Sequence, residues 1–205
     1  MNTYPMFSIP LGTTFISQSI CDKIKPLKGI TQNTITQNTA YDDAFDVLKN
    51  HPEIKQELTN TFVKWVNEVL RLNIEWVITS SWITENYTGE AMTRHSHKNC
   101  YYSSVLYFDK IEENHPRLMF ENPIYIFNTL IPQNFETLGN QYNASEFCAP
   151  IEERRILFFP SYLFHMHPKF KASIPRRSLA CSFFPIGKYG HHDSTLDTNW
   201  LRHGI

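Results

Sequence analysis

From Ile74 onward the chain breaks into short apolar runs with no helical stretch between them, and this restricts its possible folds more than any other feature. The runs are Ile74 to Thr84, Tyr101 to Asp109, Leu118 to Phe120, Ile156 to Phe159 and Ser178 to Phe184. They have strand-like composition, and turns rather than helices join them. A parallel α/β sheet needs a crossover helix between strands, so the pattern predicts an antiparallel sandwich or jelly roll. The chain has 205 residues, 41% of them hydrophobic, which is enough to build a core and excludes disorder as the main state. One domain over residues 1–205 is expected.

The part before Ile74 reads as support for that β core, which is predicted over 74–190. Pro5, Pro10, Pro26 and Gly29 interrupt the first 40 residues, and the Thr/Gln/Asn-rich stretch 31–39 reads as loop. Tyr41 to Lys49 predicts a short helix. Asn50-His51-Pro52 then offers a cap and an early proline for a longer helix to about Leu72. In it, Ile54, Leu58, Phe62, Trp65, Val66, Val69 and Leu70 recur at helical spacing, a stripe suited to packing on a sheet. Between Pro123 and Pro150 a polar segment carries Tyr125, Phe127, Phe135, Tyr142 and Phe147, and its length suits a lid or substrate loop.

Charge and composition remove several functions. Nineteen Lys and Arg against twenty Asp and Glu give a net charge of −1, and the mild basic excess of 150–205 is too small for a nucleic-acid footprint. No window approaches the roughly 18 consecutive apolar residues of a membrane-spanning helix. The first residues, Met1 to Phe7, lack a secretory pattern, so the chain is expected to stay where it is made. Cys21, Cys100, Cys148 and Cys181 form no Cys-x-x-Cys pair, which fits a reducing cytosol.

Three of the nine histidines are spaced for chemistry. In Arg94-His95-Ser96-His97 the two imidazoles share a face if the segment is extended, so both can reach one metal ion. His165 follows the apolar run that ends in Phe159-Pro160-Ser161, and a jelly roll can bring it to the other two. Three neutral ligands would leave coordination positions open, as a catalytic site requires. Taken alone, the three equally fit two surface histidines and one satisfied core histidine. Further on, Arg176 and Ser178 share a strand face while Arg177 points away. A guanidinium beside a hydroxyl is a receptor for a carboxylate, which suggests an organic diacid held between metal and Arg176.

Together these residues resemble the 2-oxoglutarate- and Fe(II)-dependent oxygenases, particularly the prolyl-hydroxylase-like branch of bacteria and phages. The resemblance runs from about Trp82 to Phe183. It rests on Gly89…His95-Ser96-His97…Ser103-Ser104-Val105-Leu106-Tyr107-Phe108, then Phe159-Pro160-Ser161…His165, then Arg176-Arg177-Ser178. It implies a mainly β, double-stranded β-helix with supporting N-terminal helices. It also implies Fe(II) on His95, His97 and His165, the far carboxylate of 2-oxoglutarate on Arg176, Ser178 and Tyr107, and Ser103 lining the pocket. The implied reaction is hydroxylation of a peptide or small molecule by O₂, with succinate and CO₂ as coproducts, in the cytoplasm of a bacterium or phage-infected cell. The chain departs from the family pattern at His97, where a carboxylate is usual, at Ser104 and Leu106, and at Arg154, where a turn glycine is expected.

Two other functions fit less well. A cupin shares the Gly89…His95-x-His97 opening, but Lys98-Asn99-Cys100-Tyr101 lacks the glutamate which that motif expects. A jelly-roll binding module without catalysis is the non-enzymatic alternative. Among the remaining histidines, His191-His192-Asp193 reads as an exposed tail, and His167 as a residue behind the ligands or at the surface. His51 and His115, beside prolines, read as solvated.

Overall fold

The computed structural model describes residues 8–31, 43–124 and 142–202. In chain order its strands are β1 (Gly12–Phe15), β2 (Ile30–Thr31), β3 (Glu75–Asn86), β4 (Met92–His95), β5 (Tyr102–Leu106), β6 (Leu118–Glu121), β7 (Glu146–Ala149), β8 (Arg155–Pro160), β9 (His165–His167), β10 (Arg176–Ile186), β11 (Lys188–Tyr189) and β12 (Leu196–Asp197). Two α-helices are described, α1 (Gln18–Ile24) and α2 (Pro52–Trp65).

Six strands form one sheet in the order β1-β8-β5-β10-β3-β2, and four form a second in the order β4-β9-β6-β7. Every ladder in them is antiparallel except the short β2–β3 pairing. The fold is thus mainly β, a jelly roll, as the run pattern predicts. Residues 1–73 contribute more than support, because β1 and β2 extend the larger sheet at both edges. Gly12 explains why β1 can lie there: a Cβ would stand 2.5 Å from the Trp65 ring.

Strand alternation sends successive residues of the larger sheet to two different cores. Leu106, Ile156, Phe158, Leu179, Cys181 and Phe183 pack beneath the helices, whereas Val105, Leu157 and Phe159 pack with Leu118 and Phe120 of the smaller sheet. On β3 the register shifts opposite Ser182/Phe183, and the buried set changes from Trp76 and Ile78 to Ser81 and Ile83. This bulge turns Trp82 and Thr84 onto the inner face.

α2 buries Ile54, Leu58 and Phe62, and Val66 beyond it, with Pro52 in the first turn where no N–H is needed. Phe62 stacks on Phe183 at 4.1 Å between centroids and touches Trp76, Tyr102 and Phe158. The helical run ends close to the expected Leu72, but its last part, Val66–Leu70, is a π turn stopped by Arg71 at φ 54°. That wider turn rotates Val69 out of the stripe and into solvent.

The helix predicted over Tyr41 to Lys49 is not observed. Tyr41 lies outside the described residues, and 43–50 form turns. Backbone groups that a helix would use are committed to the sheet, since Ser81 N–H donates to Phe45 O and Val47 N–H to Ser81 O. Of the aromatic residues in the 123–150 segment, Tyr125, Phe127 and Phe135 also lie outside the described residues. Tyr142 and Phe147 are exposed, with Phe147 on β7 opposite Phe120. His115 is buried rather than solvated: its Nε2–H donates to Ile174 O, and its Nδ1 accepts from Glu112 N–H.

Candidate metal centre

His95 closes β4 and His165 opens β9, and the antiparallel register places them opposite each other. His97 is not on a strand, contrary to the extended reading of the His-x-His segment; it lies in the loop after β4. Its backbone N–H donates to Ser161 O at 3.0 Å, and this anchor ties the loop to the end of β8. The three side chains offer ligand atoms within 4.8 Å of one another.

Backbone carbonyls set the tautomers. His95 Nδ1–H donates to Thr93 O at 2.8 Å and His165 Nδ1–H to Leu163 O at 2.9 Å, which leaves both Nε2 lone pairs free. His97 Nε2 lies 3.2 Å from His165 Nε2. Two nitrogens bound at about 2.1 Å in adjacent right-angle positions would be about 3.0 Å apart, so this spacing suits one shared cation. Burial, reinforced by the neighbouring imidazoles, pushes His165 down to about 3 and His97 to about 4. Both are therefore neutral at physiological pH, the state a ligand needs. Phe159 and Phe120 pack around His165, and Trp82 lies 5.3 Å from the His97 ring.

The face of β10 that carries Arg176 and Ser178 is buried. Arg176 is 2% exposed and donates to the Tyr107 hydroxyl at 2.8 Å, with its guanidinium 4.9 Å from the Tyr107 ring. Its Nε–H has no partner, and among the described residues no carboxylate forms an ion pair with it. A buried cation without a counter-charge is costly, on the order of several kcal/mol, so a bound anion would stabilise Arg176. Ser178 shares this face and its hydroxyl meets that of Thr84 at 3.0 Å. Burial raises the Tyr107 pKa and keeps the phenol protonated, although Arg176 works in the opposite direction. Tyr107 follows β5, where its backbone still bonds to Arg154 and Arg155.

Arg177 faces the other way, as strand alternation predicts. It binds Glu85, Asp109 and the carbonyls of Lys25 and Leu27, tying the end of α1 to the sheet. The Ser103 hydroxyl meets Ser161 Oγ at 2.8 Å, so it is engaged within the protein. His167, which sequence left between two roles, is 1% exposed and has an unpartnered Nε2. Burial and then Arg176 push it down to about 4. Asn86, buried opposite Arg176 with an unpartnered Oδ1, was missed in the sequence, where no motif marks it. His191, His192 and Asp193 are exposed, in agreement with the tail reading.

The fold and this site together define a jelly-roll protein with a cluster of three imidazoles and a buried arginine without a carboxylate partner among the described residues. Residues 80–182 match the family model described as "Putative 2OG-Fe(II) oxygenase", and the chain belongs to that family. As a member it has Fe(II) and 2-oxoglutarate as cofactors, and the donor set above fits both. No curated protein matches the sequence. Among solved structures, HygX from Streptomyces hygroscopicus with nickel and 2-oxoglutarate bound is 9% identical, with 86% of this chain and 83% of that chain covered and a TM-score of 0.55. A prolyl-4-hydroxylase from Pseudomonas putida is 11% identical, with 86% and 89% covered and a TM-score of 0.51. These likenesses show a shared fold. An oxidoreductase of the 2OG-Fe(II) oxygenase family from Burkholderia pseudomallei is 11% identical over 68% of this chain (TM-score 0.44), and the chain spans 55% of its length. Among the described residues no helix is long and apolar enough to cross a membrane.

Proposed function

We propose that this protein is an Fe(II)- and 2-oxoglutarate-dependent dioxygenase that hydroxylates a peptide or small molecule. One observation carries the reading: three imidazoles, two of them held neutral by burial, gather within reach of one metal ion in a fold that also buries an arginine lacking a carboxylate partner among the described residues. When bound, Fe(II) with 2-oxoglutarate couples O₂ to oxidative decarboxylation, giving succinate and CO₂ while one oxygen atom enters a C–H bond.

The chain's own residues do the positioning. His95, His97 and His165 hold the metal, with His95 and His165 oriented by the Thr93 and Leu163 carbonyls. Arg176 receives the far carboxylate of 2-oxoglutarate. Tyr107 accepts a hydrogen bond from Arg176 and so keeps its own O–H for the same carboxylate. Ser178 supplies a further hydroxyl when Thr84 donates to it. Ser103, held by Ser161, lines the pocket wall. Phe120 and Phe159 keep water from His165.

The test is an anaerobic titration with Fe(II) and then 2-oxoglutarate, watched for the visible metal-to-ligand charge-transfer band. The band is expected in wild type and lost in Arg176→Ala. A protein that binds metal but remains spectrally indifferent to 2-oxoglutarate would overturn the reading.

A further inference from the structure

Three buried polar atoms in the region of Arg176 have no hydrogen-bond partner among the described residues: Arg176 Nε, Asn86 Oδ1 and His167 Nε2. The residues are 2%, 4% and 1% exposed, so bulk water does not satisfy them. Topology gathers them at one end of the barrel. Asn86 closes β3 directly opposite Arg176 of β10, so the two side chains share a face of the sheet. After the turn that follows, Met92 opens β4 opposite His167 of β9. That turn is held at Phe170, whose carbonyl accepts from Gly89 N–H and whose ring lies 6.0 Å from the His167 ring. After burial, the Arg176 charge is the strongest influence against a protonated His167.

We propose that Asn86 and His167 are positioning residues for Arg176, acting on its guanidinium through one shared buried water. The part of this that concerns 2-oxoglutarate rests on the cofactor reading above.

The kinds of hydrogen bond on offer select water. Arg176 Nε–H can only donate, and Asn86 Oδ1 can only accept. His167 Nδ1–H donates to Pro168 O at 3.0 Å, so its Nε2 also accepts. Together they need a group that donates twice and accepts once. A carboxylate has no hydrogen to donate and would leave both acceptors unsatisfied, whereas one water serves all three. Held on the Nε edge, that water fixes the plane of the guanidinium. One Nη2 hydrogen is committed to the Tyr107 hydroxyl. The remaining Nη hydrogens are then presented to the far carboxylate of 2-oxoglutarate, where a paired contact is strongest.

The full chain is tested in two ways. A crystal structure of the metal-free protein is expected to show one water within hydrogen-bond distance of Arg176 Nε, Asn86 Oδ1 and His167 Nε2. In anaerobic Fe(II) titrations read by the charge-transfer band, Asn86→Leu and His167→Leu should each weaken 2-oxoglutarate binding at least about tenfold. The double variant should be within about twofold of the weaker single one, because either change already removes the shared water. His167→Gln, whose amide oxygen can stand near the Nε2 position, should recover the wild-type affinity to within about threefold. Fe(II) affinity should be unchanged in every variant, which a mere disturbance of His165 would not allow. A pocket without that water, unchanged affinity in either leucine variant, additive losses in the double variant, or His167→Gln as weak as His167→Leu would overturn the proposal. The crystal structure decides it even where a leucine variant does not fold. Failure of the cofactor reading looks different: wild type then gives no 2-oxoglutarate band, and the positioning role falls with it.

Discussion

His95 and His165 are partners in the antiparallel ladder between β4 and β9, with ring centroids 4.3 Å apart. Strand pairing itself therefore brings together two of the three imidazoles.

Removing either should cost metal binding more than folding. In thermal denaturation with and without Ni(II), wild type should gain stability from the ion, and His165→Ala should lose that gain. A drop in affinity of about a hundredfold or more is expected, equivalent to about 2.7 kcal/mol of metal-dependent stabilisation. An unchanged nickel response in His165→Ala would mean that this imidazole is not a ligand.

The adjacent arginines should separate cleanly. Arg176→Ala removes the buried receptor and should abolish measurable 2-oxoglutarate binding in calorimetry. Arg177→Ala should leave that affinity nearly intact but destabilise the fold by about 2 kcal/mol, because its part-buried pairs with Glu85 and Asp109 hold α1 to the sheet. Equal weakening of 2-oxoglutarate binding by both changes would show that the β10 alternation has been misassigned.

Acid should destabilise the metal-free protein before its carboxylates matter. Burial holds His165 near 3 and both His97 and His167 near 4 in the folded state, whereas unfolded histidines titrate near 6.5. Below pH 6.5 the unfolded chain binds more protons, so the contribution is complete above that pH and is lost as pH falls towards the folded values. Urea denaturation should show a loss on the order of 3 kcal/mol between pH 6.5 and 5. His167→Leu should flatten this slope; a slope that does not change would remove His167 from the buried neutral set.

Two packing changes should have opposite signs. Phe62→Ala empties the centre of the aromatic cluster beneath the helices and should cost about 4 kcal/mol in chemical denaturation. Arg154 sits at φ 67° in the turn before β8, so Arg154→Gly should stabilise by about 0.5 to 1 kcal/mol. A loss of stability in Arg154→Gly would show that contacts of its side chain, such as that with Phe15, outweigh the backbone strain.

The residues of the candidate site could be picked out in the sequence mainly by residue type, since the period of two that holds on β10 does not hold at His97. His95, His97, His165 and Arg176 could be singled out in this way, and the opposite directions of Arg176 and Arg177 follow from strand alternation alone. The jelly roll was legible as a succession of strand-like runs without intervening helices. Tertiary structure decided which residues stand opposite one another. It bent the His97 loop onto Ser161, buried His115 and His167, and at 43–49 put turns bonded to Ser81 where a helix was predicted. These features depend on contacts between residues far apart in the chain, so no local period contains them.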